Sequence, residues 1–137
     1  MSEIQEFNRQ VIEEFRANSG AVGGQMEGMP LLLLHTVGAK SGKPRVNPLA
    51  YLADGDRYVI IASFAGAPNN PPWYHNLLAN PQATIEVGAE TIDVTANVVA
   101  EPRRTELYSK MADAMPVFND YQDRTERVIP VVMLTRR

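Results

Sequence analysis

The alternation of apolar and polar residues predicts a chain that begins with a helix and continues mainly as antiparallel strands. Ser2 and Gln5 match a helix-capping motif, and the predicted helix ends near residues 18–20. Its apolar stripe is formed by Ile4, Phe7, Val11, Ile12 and Phe15. Glycines 20, 23, 24 and 28 then predict a flexible loop that could order over a bound ligand.

The next part of the chain is expected to be a meander of three strands. LLLLHTV follows Pro30 as a buried strand, GAKSGK is a turn, and RVNPLAYLAD and RYVIIAS are the second and third strands. Pro48 requires an edge position or a bulge, because proline cannot donate to a strand ladder. FAGAPNNPP is predicted to be a rigid loop, and WYHNLLAN a short helix that Asn70 caps and Pro81 stops.

The last third adds a hairpin around Gly88, two helices and a final strand, VIPVVML. Three residues of the hairpin are expected to face the core, namely Ile92, Val94 and Ala96. In the helix after Pro102 the expected buried face is Leu107, Met111 and Ala114, and the second helix spans residues 117–123. The order αβββαββααβ has no βαβ rhythm, so it predicts a mainly β (α+β) fold, a small barrel with helices over its openings.

Composition limits what this barrel can do. The 137 residues are 45% hydrophobic, which suits one domain over residues 1–137, with a helix and loop in 1–28 and the barrel in 29–137. The absence of cysteine excludes disulfides, thiolate nucleophiles and thiolate metal sites. His35 and His75 lack metal-ligand spacing, so no metal is expected and any cofactor is organic. With no apolar run long enough to cross a membrane and no export signal, a cytoplasmic protein is expected.

Charge is unevenly distributed along the chain. The net charge of -3 argues against nucleic acid as a partner. Residues 28–85 nevertheless hold four basic and only two acidic residues, so a locally basic centre lies in an acidic protein. This pattern indicates a site for an anionic small molecule, with chance composition as the alternative.

Two groups of residues could form such a site. GAKSGK has the wrong spacing for a P-loop, but its backbone amides, Lys40, Ser41 and Arg45 could together bind one phosphate. The alternative is a solvated basic turn. Trp73 and Asn76 lie on one helical turn and suit a flat heterocycle, although a tryptophan is more often part of the core. No Ser–His–Asp arrangement supports hydrolysis.

Three segments carry a resemblance to a known family. HTVGAKSGKPRVNPLAYLADGDRYVIIAS, GAPNNPPWYHNLLANP and DYQDRTERVIPVV resemble the deazaflavin-dependent nitroreductase family, a branch of the split-barrel flavin-reductase-like proteins. The resemblance implies a split β-barrel that uses reduced coenzyme F420, an 8-hydroxy-5-deazaflavin, as its hydride donor. The implied partner is a small-molecule hydride acceptor.

The same resemblance implies a role for particular residues. The phosphate of the coenzyme would lie on Ala39, Lys40, Ser41 and Arg45. The ring would be lined by Val46, Asn47, Pro48, Leu49 and Ala50, together with Ile61, Ala62, Ser63 and Phe64. The site would be closed by Pro72, Trp73, Tyr74, His75 and Asn76. Tyr121 is the candidate catalytic residue, as a hydrogen-bond or proton donor, with solvent as the alternative proton source.

Departures from the family pattern point to a different substrate. Ala39 and Phe64 stand where relatives have basic residues, and Met115 and Phe118 stand where they have tyrosines, whereas Tyr121 is retained. The losses argue against nitroimidazole reduction and predict a more apolar substrate face.

The resulting hypothesis is hydride transfer from F420 to a quinone, an α,β-unsaturated lactone or ester, or a nitroaromatic. An F420 carrier without turnover and a flavin-mononucleotide split-barrel reductase are the alternatives, and haem is disfavoured. The N-terminal helix could contact a coenzyme tail, a substrate or a membrane surface. The sequence does not predict the oligomeric state.

Overall fold

A computed structural model describes residues 3–18, 20 and 30–137, apart from the side chains of residues 3–5. The capping motif at Ser2 and Gln5, the side chain of Ile4 and the glycines between 23 and 28 lie outside this part. Its helices are α1 (Glu3–Ala17), α2 (Pro72–Ala79), α3 (Arg103–Ala114) and α4 (Val117–Asp123). Its strands are β1 (Leu31–Val37), β2 (Pro44–Ala50), β3 (Leu52–Asp54), β4 (Arg57–Ile61), β5 (Gln82–Val87), β6 (Glu90–Val98) and β7 (Val131–Arg136).

The strands form one antiparallel sheet in the order β2-β1-β5-β6-β7-β4-β3. The strands at the two ends of this order, β2 and β3, are separated in the chain by Tyr51 alone. The sheet must therefore curl until its two ends come close, as in a barrel, although β2 and β3 do not pair with each other. This confirms the predicted mainly β barrel with helices.

The predicted second strand is divided in two, which is a correction to the expected order of elements. Ala50 pairs with Leu31, whereas Leu52 pairs with Val59, so the chain changes its neighbouring strand at Tyr51. Pro48 lies in β2, which ends the strand order, and the prediction of an edge position is confirmed.

The apolar run of β1 is buried because both faces of the strand are covered. Leu32 and Leu34 point into the barrel core, and Leu31 and Leu33 pack under α1 against Val11 and Phe15. A separate cluster joins α3 and α4 to β4 and β7. The alternating burial predicted for β6 is confirmed at Ile92, Val94 and Ala96.

Details of three helices differ from the predictions. Phe7 is 45% exposed, because α1 contacts the barrel through its second half. In α3 Leu107 and Met111 are buried together with Tyr108 and Ala112, whereas Ala114 is exposed. Asn70 does not cap α2, which follows Pro71 without a side-chain cap.

Candidate functional site

The turn between β1 and β2, residues 38–43, has a fixed backbone shape. Gly38 N donates to Lys43 O over 2.8 Å, and Gly42 N donates to Gly38 O over 2.9 Å. Gly42 has a φ of 69°, which favours glycine. A Cβ at Gly38 would collide with Ser41 Oγ, which lies over that glycine. Ser41 Oγ accepts from Lys43 N at 3.2 Å, so its own proton is available to a ligand.

Three cations follow one another on this turn and at the start of β2 without acidic partners. Lys40, Lys43 and Arg45 are exposed, and no carboxylate pairs with them in the described part of the chain. Arg16 and Arg103, in contrast, each pair with a carboxylate at 2.9 Å. The turn therefore presents uncompensated positive charge and a hydroxyl, which is the donor set that a phosphate requires.

Asn76 ties α2 to this turn instead of facing open space. Its Oδ1 accepts from Ala39 N at 2.9 Å, and its Nδ2 donates to Thr36 Oγ1 at 3.1 Å. The side chain is buried. The Ala39 N–H that was expected to bind phosphate is thus already donated within the protein.

Trp73 shares the inward side of α2 with Asn76, as their spacing predicts. It is 4% exposed and belongs to the barrel core around Leu34 and Ile60. Its surroundings are therefore those of the alternative considered for it, a core tryptophan. Of the five residues predicted to close the site, 72–76, those left at the surface are Pro72, Tyr74 and His75.

The chain leaves β4 in an uncommon backbone conformation. Phe64, Ala65 and Gly66 all have left-handed φ angles, of 47°, 54° and 80°. Side chains rarely adopt this region, so something must hold the segment there. A Cβ at Gly66 would come within 2.8 Å of Tyr121 O, because α4 packs directly on this turn. Ile61 and Ala62 are buried, whereas Phe64 is 47% exposed.

Arg127 holds this segment and was missed in the sequence. Its guanidinium donates to Ala62 O, Ser63 O and Ala67 O over 2.7–3.1 Å, and to Asn70 Oδ1 over 2.8 Å. Burial lowers its pKa from the usual range. Its acceptors are chiefly backbone carbonyls, which no sequence pattern marks. The available sequence signal was that Arg127 lies in DYQDRTERVIPVV, one of the three segments that carry the family resemblance.

Tyr121 lies on α4 beside that segment. Its ring packs edge-on against Phe118 with centroids 5.3 Å apart, and the Arg124 guanidinium lies 5.9 Å from its centroid. Its hydroxyl has no hydrogen-bond partner among the residues described. Phe118 itself is buried in the α3–α4 cluster, so it adds no apolar surface to a substrate site.

β2 supplies an open strand edge between these features. It pairs with β1 on one side, and the described residues place no strand on its other side. Residues 46–50 are half-buried. A planar ring with polar edges fits such a strand, because backbone groups along a free edge can bind it. A shallow cavity of about 220 Å³ between α2 and β6 also exists, lined by Tyr74 and Leu78 but by no residue of the basic turn.

A second missed group joins α1 to the barrel. Glu86 on β5 accepts from Arg16 at 2.9 Å and lies 2.6 Å from His35 Nε2. The Arg16 hydrogen bond is the main cause that holds the pKa of Glu86 below its usual range, and the bond to His35 adds to it. The group fixes α1 over β1.

Comparison with known proteins identifies the class of fold and the family. Solved structures place the chain in the split-barrel class: an F420-H2 dependent reductase, FDR-A, has a TM-score of 0.71 at 36% identity and covers 77% of this chain and 94% of its own. A chain solved as a domain-swapped dimer has a TM-score of 0.73 at 32% identity and 96% coverage of both chains. The haem storage protein HutZ of Vibrio cholerae, at 18% identity and a TM-score of 0.61, shares the fold alone.

The family can also be stated. The model of the F420H(2)-dependent quinone reductase family matches residues 7–136. An F420H(2)-dependent quinone reductase of Mycobacterium tuberculosis is 45% identical over 127 residues, covering 90% of this chain and 85% of its own. The chain therefore belongs to the F420H(2)-dependent quinone reductase family, and the prediction of an F420H2-dependent reductase is confirmed at this level. In the described residues no helix has the length and apolar character to cross a membrane.

Proposed function

We propose that this protein binds coenzyme F420 across the basic turn and the free edge of β2, and reduces quinones with it. The observation that carries the proposal is the run of three exposed, unpaired cations, two on a fixed turn and one at the start of β2, which continues as an open strand edge. An anionic coenzyme tail would meet the turn, and the ring would follow the strand.

Each group then has a defined task. Lys40, Ser41 and Arg45 hold the phosphate, with Lys43 as a further nearby cation. Val46, Asn47, Pro48, Leu49 and Ala50 on β2, with the segment from Ile61 to Ser63, line the ring. Pro72, Tyr74 and His75 form the α2 wall of the site. Trp73 and Asn76 support that wall from behind, and the Ala39 N–H contributes through its bond to Asn76.

The reduced deazaflavin, when bound, supplies the hydride. The chain's own residues position the acceptor and manage charge and protons. Reduction of a quinone to a hydroquinone adds one hydride and one proton, and the second oxygen needs a hydrogen-bond donor while charge develops on it. The unpartnered Tyr121 hydroxyl is the proposed donor. Exposed Phe64 offers an apolar surface to a flat acceptor, which favours quinones over nitroimidazoles.

Unsaturated lactones or esters and nitroaromatics are further acceptors to be tested. A cytoplasmic location, a single domain and the exclusion of nucleic acid are likewise expectations from the sequence.

The phosphate assignment is tested with two matched arginines. Arg45 and Arg57 are both exposed and both lack a carboxylate partner in the described structure, so replacing either by alanine removes one charge. Arg45→Ala is expected to weaken F420 binding by about 1.5–3 kcal/mol, the value of a hydrogen bond to a charged group. Arg57→Ala is expected to change the dissociation constant less than about twofold, since any effect would act through long-range charge alone. Calorimetric titration measures both, and equal effects would contradict the assignment.

Turnover separates an enzyme from a carrier. Anaerobic mixing with reduced F420 and a quinone should give quinone-dependent reoxidation, whereas tight binding without reoxidation would indicate a carrier. Preferential binding of flavin mononucleotide would support the flavin alternative. Tyr121→Phe should lower kcat at least about tenfold, and the control Tyr58→Phe, in the β4 strand, should leave it unchanged. An unchanged kcat in Tyr121→Phe would remove this residue from the mechanism.

A further inference from the structure

Arg127 is not part of the coenzyme site proposed above, yet it is bound to the backbone of one of its walls. We infer that Arg127 is a positioning residue, which sets the conformation of residues 62–70 so that the end of β4 can border the ring. This inference rests on the proposed function, because that function places the segment beside the coenzyme.

The hydrogen bonds of Arg127 are concentrated on this one segment. Four of the donations available to the guanidinium go to Ala62 O, Ser63 O, Ala67 O and Asn70 Oδ1. No carboxylate pairs with Arg127 within the described residues, so it is not one half of an ion pair. A planar fork that binds several carbonyls at once fixes their relative orientation, which a lysine ammonium cannot do.

The segment requires such support because the sheet no longer holds it. The pairing of β4 with β7 ends at Ile61 and Val131, and the last backbone bond between them is from Ala62 N to Pro130 O. Two residues with side chains, Phe64 and Ala65, then adopt left-handed φ angles. Without Arg127 the carbonyls of residues 62 and 63 would lose the guanidinium N–H donors that they accept from, and the chain would be free to relax toward ordinary backbone angles.

Arg127 is itself anchored to the helix that carries Tyr121. Gln122 on α4 donates from Nε2 to Arg127 O over 2.7 Å, and its Oε1 accepts from Arg104 at 2.9 Å. Residues 62–70 and the helix that carries Tyr121 are therefore both hydrogen-bonded to Arg127. A shift of either by about 1 Å is enough to cost a large factor in rate.

The test compares Arg127→Met with two controls. Ile92→Ala loses packing in the barrel core but none of the hydrogen bonds of the segment, and Arg137→Met loses a guanidinium bond to a backbone carbonyl, Ala83 O. For Arg127→Met we expect kcat per folded molecule to fall at least about tenfold. The F420 dissociation constant should change less than about threefold, because the basic turn that is proposed to bind the phosphate is untouched. The controls should keep both values within about twofold.

Hydrogen exchange supplies a readout that does not depend on activity. The amides of Gly66 and Ala67 donate within the segment, to Ser63 O and Phe64 O, and should exchange at least about tenfold faster in Arg127→Met but not in the controls. Asn70→Ala removes one acceptor and should give the same pattern at smaller amplitude, which keeps the test usable if Arg127→Met fails to fold.

Two results would overturn the inference: unchanged exchange of these amides, or a kcat that falls no further than in the controls. Absence of F420-dependent quinone reduction by the wild-type protein would instead refute the proposed function. In that case the exchange measurement would still decide whether Arg127 holds the segment.

Discussion

Asn76 provides a sharp test of whether the α2 contacts are structural. Its buried amide accepts from Ala39 N and donates to Thr36 Oγ1, and it thereby joins α2 to β1 and the basic turn. Asn76→Ala deletes both bonds and leaves two protein groups without partners. If Asn76 instead served mainly to contact a ligand, the free protein would lose little stability.

The expected magnitude follows from the two bonds. A buried group left unsatisfied costs about 1–3 kcal/mol. The Thr36 hydroxyl can rotate to another acceptor, whereas the Ala39 N–H is fixed by the turn, so we expect a total loss of about 2–3 kcal/mol in the free energy of unfolding. With a urea m-value of about 2 kcal/mol/M, the unfolding midpoint would fall by roughly 1–1.5 M.

Urea unfolding followed by circular dichroism measures this change in the absence of any ligand. Asn80→Ala is the control, because Asn80 Oδ1 also accepts from a backbone N–H, that of Gln82, but on an exposed side chain. It should cost no more than about 0.5 kcal/mol. A loss in Asn76→Ala no larger than in the control would refute the structural role and return Asn76 to the set of ligand contacts.

Three further predictions concern the fold around the site. Gly66→Ala should destabilise by about 2–4 kcal/mol, because the new Cβ meets Tyr121 O at 2.8 Å with φ at 80°; a thermal melt decides it. Ala65→Gly should stabilise by up to about 1 kcal/mol by relieving a left-handed alanine, and a loss of stability would contradict that conformation. Glu86 has a lowered pKa, so its stabilising effect is fully present above the ordinary pKa of a glutamate and disappears as the pH falls through the lower pKa of the folded protein. Glu86→Gln should lower the free energy of unfolding by up to about 1 kcal/mol at pH 7. It should also make the urea unfolding midpoint decrease less steeply as the pH is lowered. An unchanged decrease would show that Arg16 does not stabilise the carboxylate.

The elements could be predicted where local patterns determine them. The hairpin around Gly88 and the helix Val117–Asp123 depend on turn residues and periodicity within a few positions, and both are confirmed. The division at Tyr51 could not be predicted, because it depends on which distant strand pairs with each side of that residue. The failed Asn70 cap has a similar cause: Arg127, 57 residues away, takes the amide oxygen that local propensity assigned to the helix.

The candidate site was predictable only in its residue types. The sequence shows a basic, glycine-containing turn and an aromatic helix face, but it does not show which residues they contact in the fold. Trp73 and Asn76 share a face as their spacing requires, yet that face turns toward the core, which helical periodicity alone cannot decide. Arg127 was overlooked because a sequence does not show whether an arginine is exposed or buried.

These contacts divide the polar groups near the site into two kinds. Buried Asn76 and half-buried Arg127 form the first kind, and they already use their hydrogen-bonding capacity within the protein. A ligand that competed for them would have to break existing bonds and leave partners unsatisfied, which is costly. The exposed ones, Lys40, Ser41 and Arg45, have unused donors and lose only contact with water when they bind an anion. Ligand recognition is therefore expected from the exposed group, and the buried group determines where the exposed donors and the end of β4 lie.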